Sequence, residues 1–119
     1  MSFKKQSSPT LIPVPGNKRI EEHFGNVASR TGAVSVARMV APAGWSEPPQ
    51  RPEFDEYTLL VRGRKRVRIE GEEVDLAAGE SLLVEKGTLV QYSNPFDEEA
   101  EYWSVCIPAF SPELVHRQD

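Results

Sequence analysis

Glu56 is the residue on which chemistry can be hung. It opens an otherwise apolar run, Glu56-Tyr57-Thr58-Leu59-Leu60-Val61. Strand alternation puts Glu56, Thr58 and Leu60 on one face and Tyr57, Leu59 and Val61 on the other. If the first face points inward, an unpaired carboxylate there loses hydration, which raises its pKa and favours the neutral form. A neutral carboxyl donates a hydrogen bond and can work as a general acid or base near neutral pH. The plainer reading is that Glu56 is satisfied by Gln50, Thr58, Tyr92 or Arg38 and merely holds the preceding loop. The candidate set is therefore Glu56 as catalytic acid or base, with Gln50, Thr58, Tyr92 and Arg38 as ligand-binding residues. The Tyr92 ring can stack on a planar or sugar-like ligand while its hydroxyl hydrogen-bonds; otherwise it is a core tyrosine. Gln50 either meets the ligand or caps a loop amide. Trp45 and Phe54, in the loop before Glu56, are read as packing or as a lid.

The spacing around these residues is specific. Gly44 is followed at set intervals by Gln50, Pro52, Glu56 and Gly63. Further on stand Gly79, Glu85, Gly87, Val90 and Asn94. The two patterns resemble the two motifs of the cupin family. There the first holds glycine, two histidines, glutamate and glycine; the second holds glycine, proline, glycine, histidine and asparagine. Gly44, Glu56, Gly63, Gly79, Gly87 and Asn94 match, while Glu85 stands in the proline slot. The three histidine slots hold Gln50, Pro52 and Val90. The resemblance runs from Val34 to Phe110 and implies an all-β double-stranded β-helix, a jelly-roll barrel with one open mouth. A typical cupin binds one transition metal through the three histidines and the glutamate. Here Gln50 offers only a neutral amide oxygen, and Pro52 and Val90 offer nothing, so the expected site has no tightly held metal. His23 and His116 lie outside both motifs and are read as surface or packing residues.

The elements that must position these residues are short strands. Thr10–Val14 reads as a strand whose Pro13 confines it to an edge, and Arg19–Phe24 as another. Ala33–Val40 alternates clearly, with Val34, Val36, Arg38 and Val40 opposite Ser35, Ala37 and Met39. Glu56–Arg62 and Lys65–Glu70 read as a hairpin about Gly63-Arg64. Glu73–Leu76, Ser81–Val84, Leu89–Ser93 and Ala100–Ile107 follow, and Ser111–Arg117 reads as a brief helix with Ser111 as N-cap. Short strands between glycine turns indicate a sandwich or barrel without any appeal to family. Residues 1–32 make an N-terminal arm, 33–110 the barrel and 111–119 a tail. On the last strand Tyr102, Ser104 and Cys106 oppose Trp103, Val105 and Ile107. The second set reads as core, or as a sheet face shared by two subunits. The basic run Arg62-Gly63-Arg64-Lys65-Arg66-Val67-Arg68 reads as a solvated hairpin tip.

Whole-chain properties bound the function. The 119 residues fit one domain, and the charge of −4 argues against general nucleic-acid binding. No run approaches the roughly 20 apolar residues of a membrane span. The lone Cys106, with no secretory h-region after Met1, points to a reducing cytoplasm and an inert buried thiol. The expected function is binding of a small polar metabolite in the barrel. The alternatives are a lyase, isomerase or epimerase using Glu56, and a weak metal-dependent enzyme. The family resemblance, together with strands apolar on both faces, implies a homodimer.

Overall fold

The computed structural model describes residues 2–118. Among the described residues nine strands follow one another: β1 (Thr10–Ile12), β2 (Arg19–Phe24), β3 (Ser35–Ala41), β4 (Asp55–Arg62), β5 (Arg64–Ile69), β6 (Glu72–Ala77), β7 (Ser81–Val84), β8 (Val90–Ser93) and β9 (Ala100–Ile107). A single helical turn, α1 (Pro112–Val115), closes the chain. Two antiparallel sheets face each other: a six-stranded one in the order β1-β2-β3-β9-β4-β7, and a three-stranded one in the order β6-β5-β8. This is the jelly-roll barrel. The short β1 ends before Pro13, at the sheet edge, where a residue without an N–H does no harm.

One local expectation is overturned. The chain around Gly63 is no hairpin: β4 pairs with β7 and β9, whereas β5 pairs with β6 and β8. Gly63 is the corner at which the chain leaves one sheet for the other. Its φ is +79°, and a Cβ there would stand 2.2 Å from the Glu99 carbonyl oxygen. Only glycine permits both the backbone angle and that approach. The true hairpin is β5–β6, turned by Glu70 and Gly71 with φ of 48° and 88°, the double positive φ of a tight type I′ turn.

The core lies between the sheets. Leu60, Val67, Leu76, Val90, Tyr92 and Tyr102 are buried together. A smaller cluster of Phe54, Cys106 and Val115 sits under α1, with Phe110 against it. On β9 it is Tyr102, Ser104 and Cys106 that face inward. The reading of Trp103, Val105 and Ile107 as core is thereby corrected: they lie on the outer face, with Ile107 exposed. Tyr57, Leu59, Val61 and Leu83 are exposed on that same face. Register brings them together, since Tyr57 pairs with both Leu83 and Val105, and Leu59 with Trp103.

Asn94 locks the fold from within. It is fully buried, and its Nδ2 donates to the carbonyls of Ala41, Pro42 and Glu98 at 3.2, 3.2 and 2.8 Å. Its Oδ1 accepts from Phe96 N. One side chain thus ties the end of β3 to the loop ahead of β9.

Candidate functional site

Between the sheets lies a cavity of about 370 Å³, within the range of small-molecule sites. Every layer of the fold reaches it. The first two strands supply Ile12, Ile20 and Glu22, and the turn between them Lys18; β3 supplies Ser35, Ala37 and Met39. The β3–β4 loop contributes Trp45, Glu47 and Gln50, and the opposing sheet Lys65 and Tyr92.

Glu56, near the start of β4, lines this cavity and is 8% exposed. The β4–β9 register sets Glu56 opposite Cys106 and Thr58 opposite Ser104. Ser104 Oγ then donates to Glu56 Oε2 at 2.5 Å and lies 3.8 Å from Cys106 Sγ. Burial first, and the Glu56 charge second, push the Cys106 thiol well above its usual pKa. The thiol therefore stays protonated, as an inert cysteine should.

Tyr92 stands on β8, whose alternation turns Val90 and Tyr92 inward. Burial, and then the negative charge of Glu56, push its phenol well above the usual value. Its hydroxyl is near Glu56 yet outside hydrogen-bonding geometry, and has no partner. Gln50 is buried at the cavity wall, its backbone exchanging two hydrogen bonds with Val90 at 2.8 and 2.9 Å. Three of the expected residues, Glu56, Gln50 and Tyr92, are thus brought together. Two are not. Thr58 is buried in the core but does not line the cavity. Arg38 is on the far face of β3, bound to Glu21 at 3.1 Å and Glu101 at 2.8 Å. Its parity with Val36 and Val40 had already put it opposite Ala37 and Met39; the structure corrects its place among the ligand-binding residues.

The site also contains two lysines that strand-by-strand reading missed. Lys65 is 2% exposed. Its ammonium lies 3.7 Å from the Tyr102 ring centroid and 4.2 Å from that of Tyr92. Desolvation lowers its pKa; the phenol of Tyr102 and the carboxylate of Glu56 offset this in part, and the like charge of Lys18 adds to the lowering. Lys18 follows the Gly16-Asn17 turn and puts its ammonium 4.2 Å from the Trp45 ring centroid and 5.6 Å from that of Tyr102. Burial works against its charge, but Tyr102, Glu47 and Glu56 outweigh that and hold its pKa above normal. The signal for Lys65 was present in the sequence: within Arg64-Lys65-Arg66-Val67-Arg68 it shares parity with the inward Val67. The surrounding arginines disguised it. They alone are solvent-facing, so the reading of the whole run as a solvated tip is corrected at Lys65. Lys18 left no local signal.

The donor set does not fit a transition metal. Among the described residues no three His, Cys, Asp or Glu side chains gather at one point. The histidine slots carry an amide, a proline and a valine, and two ammonium groups line the same cavity, where they would repel a cation. His23 instead packs on Trp103, ring centroids 5.0 Å apart, and His116 pairs with Glu53.

Comparison with known proteins agrees with the fold. Residues 37–108 match the family model described as Cupin domain. The chain is similar to a Myxococcus xanthus protein named endoribonuclease YbeY, 49% identical over 108 residues. That stretch is 91% of this chain but only 37% of the relative, so the activity in the relative's name belongs to a much longer protein. Among solved structures, the EutQ protein of Clostridium difficile aligns with a TM-score of 0.65 and 22% identity, over 77% of this chain and 63% of that one. The polyketide cyclase RemF of Streptomyces resistomycificus aligns over 100% of this chain and 86% of its own, with a TM-score of 0.76 and 12% identity. At such identities the likeness is one of fold.

Proposed function

Because the chain belongs to the cupin family, we propose that it uses the family's barrel to hold a small polar metabolite, without a tightly bound transition metal. One observation supports this most. Glu56 is buried at a cavity wall, and its Oε1 has no hydrogen-bond donor among the described residues, while Ser104 serves Oε2. A buried carboxylate oxygen left open toward a cavity is an acceptor in wait of a donor. Among the described residues no helix is long and apolar enough to cross a membrane, and a cytoplasmic setting suits the free thiol of Cys106.

The test is a metabolite thermal-shift screen on wild type and Glu56→Gln, each with and without a strong chelator. A ligand raises the apparent Tm by mass action. The expected result is a shift in wild type that survives chelation and weakens about tenfold in apparent affinity in Glu56→Gln, the loss of one charge-assisted hydrogen bond. A shift that vanishes on chelation overturns the metal-free reading.

A second reading has its own observation. Proton transfer on a substrate needs an acid and a base, and the depressed Lys65 amine lies in the same cavity as Glu56. The protein would then be a lyase, isomerase or epimerase. With a substrate in hand, Glu56→Gln would lower kcat while sparing affinity, whereas a pure binder changes affinity alone.

The outer face supports a homodimer. Tyr57, Leu59, Val61 and Leu83 form an exposed apolar patch on a rigid sheet, of the kind that two copies bury against each other. Light scattering is expected to give a dimer for wild type and a monomer for Leu59→Glu. A wild-type monomer removes the proposal.

A further inference from the structure

The ionic side chains that line the cavity balance in number, Lys18, Lys65 and Arg117 against Glu22, Glu47 and Glu56, but the hydrogen bonds around them do not. Lys65 has no carboxylate within 4.0 Å and no hydrogen bond among the described residues; only the rings of Tyr92 and Tyr102 face its ammonium. A ring face compensates only part of the hydration that an ammonium gives up on burial. Lys18 lies against rings too, with no ion pair within that distance, although Tyr102, Glu47 and Glu56 together sustain its charge. The hydroxyls of Tyr92 and Tyr102 are buried without partners. All four unmet groups can donate.

Each carboxylate nearby already has a partner other than a lysine. Glu22 Oε2 takes the backbone amides of Val27 and Ala28 at 3.0 and 2.7 Å. Glu47 reaches Arg117 at 3.6 Å. Glu56 gives one oxygen to Ser104. Each of these carboxylates thus has a partner of its own, while neither ammonium has an ion pair within 4.0 Å and both phenols lack a partner, so what the cavity leaves unmet is a set of donors.

Resting on the reading of the barrel as a metabolite site, we propose that the ligand is an organic monocarboxylate, its carboxylate held between the ammonium groups of Lys65 and Lys18. The Tyr92 and Tyr102 hydroxyls are the additional donors to its oxygens. The free oxygen of Glu56 accepts from a hydroxyl elsewhere on the ligand. On a wall whose ionic side chains already balance in number, a carboxylate adds one negative charge beside Glu56 and a phosphate dianion nearly two, so the monoanion is favoured. Ile12, Val14, Ile20 and Met39 give the wall an apolar part, which suits a hydrocarbon or aromatic body.

The experiment measures binding to the full chain by thermal shift and calorimetry. The probes are monocarboxylic acids spanning lactate to 4-hydroxybenzoate, each beside its neutral carboxamide, with inorganic phosphate and a set of neutral and cationic metabolites. The expected result is that one or more acids bind at least tenfold more tightly than the matching amides. Lys65→Met and Lys18→Met should each reduce that ratio toward one while melting cooperatively. Amides that bind as well as acids, a preference for phosphate, or an acid preference untouched by Lys65→Met would each overturn the carboxylate assignment. Neutral or cationic metabolites that bind where acids fail would also overturn it, and would leave the barrel a metabolite site. No binding by any probe would overturn both.

Discussion

Asn94→Ala will destabilise the fold by roughly 3–5 kcal/mol, a large part of the 5–15 kcal/mol that holds a domain of this size together. The side chain serves three carbonyls and one amide from a fully buried position. Truncation leaves those groups in a space that water enters poorly, and each unmet buried group costs about 1–3 kcal/mol. The carbonyls belong to two pieces of chain, the end of β3 and the loop ahead of β9, so relaxing one does not satisfy the other. Urea unfolding followed by fluorescence will show the loss as a lower midpoint at unchanged m. Asn94→Asp is expected to do no better, because a carboxylate cannot donate to three carbonyls. A loss below about 1 kcal/mol would mean that the asparagine is not the tie that its hydrogen bonds describe.

Lys65→Met will raise stability at neutral pH by about 1–3 kcal/mol, because a buried charge without a counter-ion is replaced by a flexible apolar chain. The pH dependence gives the sharper test. In the folded protein the Lys65 pKa is lowered, chiefly by desolvation. Between that lowered value and the ordinary lysine value, the unfolded chain binds more protons than the folded one, so the Lys65 contribution makes stability rise with pH. Below the folded pKa the full penalty of the buried charge is present; as pH climbs toward the unfolded value the penalty fades. Lys18 and Tyr92, whose pKa values are raised in the fold, act in the opposite direction at alkaline pH. The comparison must therefore be between variant and wild type, where their effects largely cancel. The stability gap is expected to narrow steadily as pH rises through the alkaline range. A gap that is constant with pH would show that Lys65 is not a desolvated cation. A destabilised Lys65→Met would show that the rings of Tyr92 and Tyr102 satisfy the ammonium on their own.

The two variants probe opposite designs. Asn94 is a buried polar group with its hydrogen bonds met, and it ties the end of β3 to the loop ahead of β9. Lys65 is a buried polar group without such partners, and the fold bears its cost. Unmet polar groups of that kind cluster at functional sites, where the missing partner is a ligand.

Most of the strand pattern was legible in the chain because alternation and glycine turns are local. Arg19–Phe24, Ser81–Val84 and Ala100–Ile107 were read with the bounds they have in the structure. The cupin barrel was legible from gapped spacing, since positive-φ corners and a carbonyl-binding asparagine recur only where the backbone demands them. Glu56, Gln50 and Tyr92 were found because motif position and strand parity both aim them inward. Gly63 was recognised as a turn, but which sheet receives the chain after it depends on pairing with strands far along in sequence. Arg38 was misplaced because its ion-pair partners, Glu21 and Glu101, are distant in the chain and invisible to local pattern. The sequence by itself thus determined the barrel, the lost histidines and a lone acid in an apolar cup. The tertiary structure alone decided that two lysines share that cup, because burial of a charged side chain depends on which surfaces close over it, and those surfaces come from both ends of the chain.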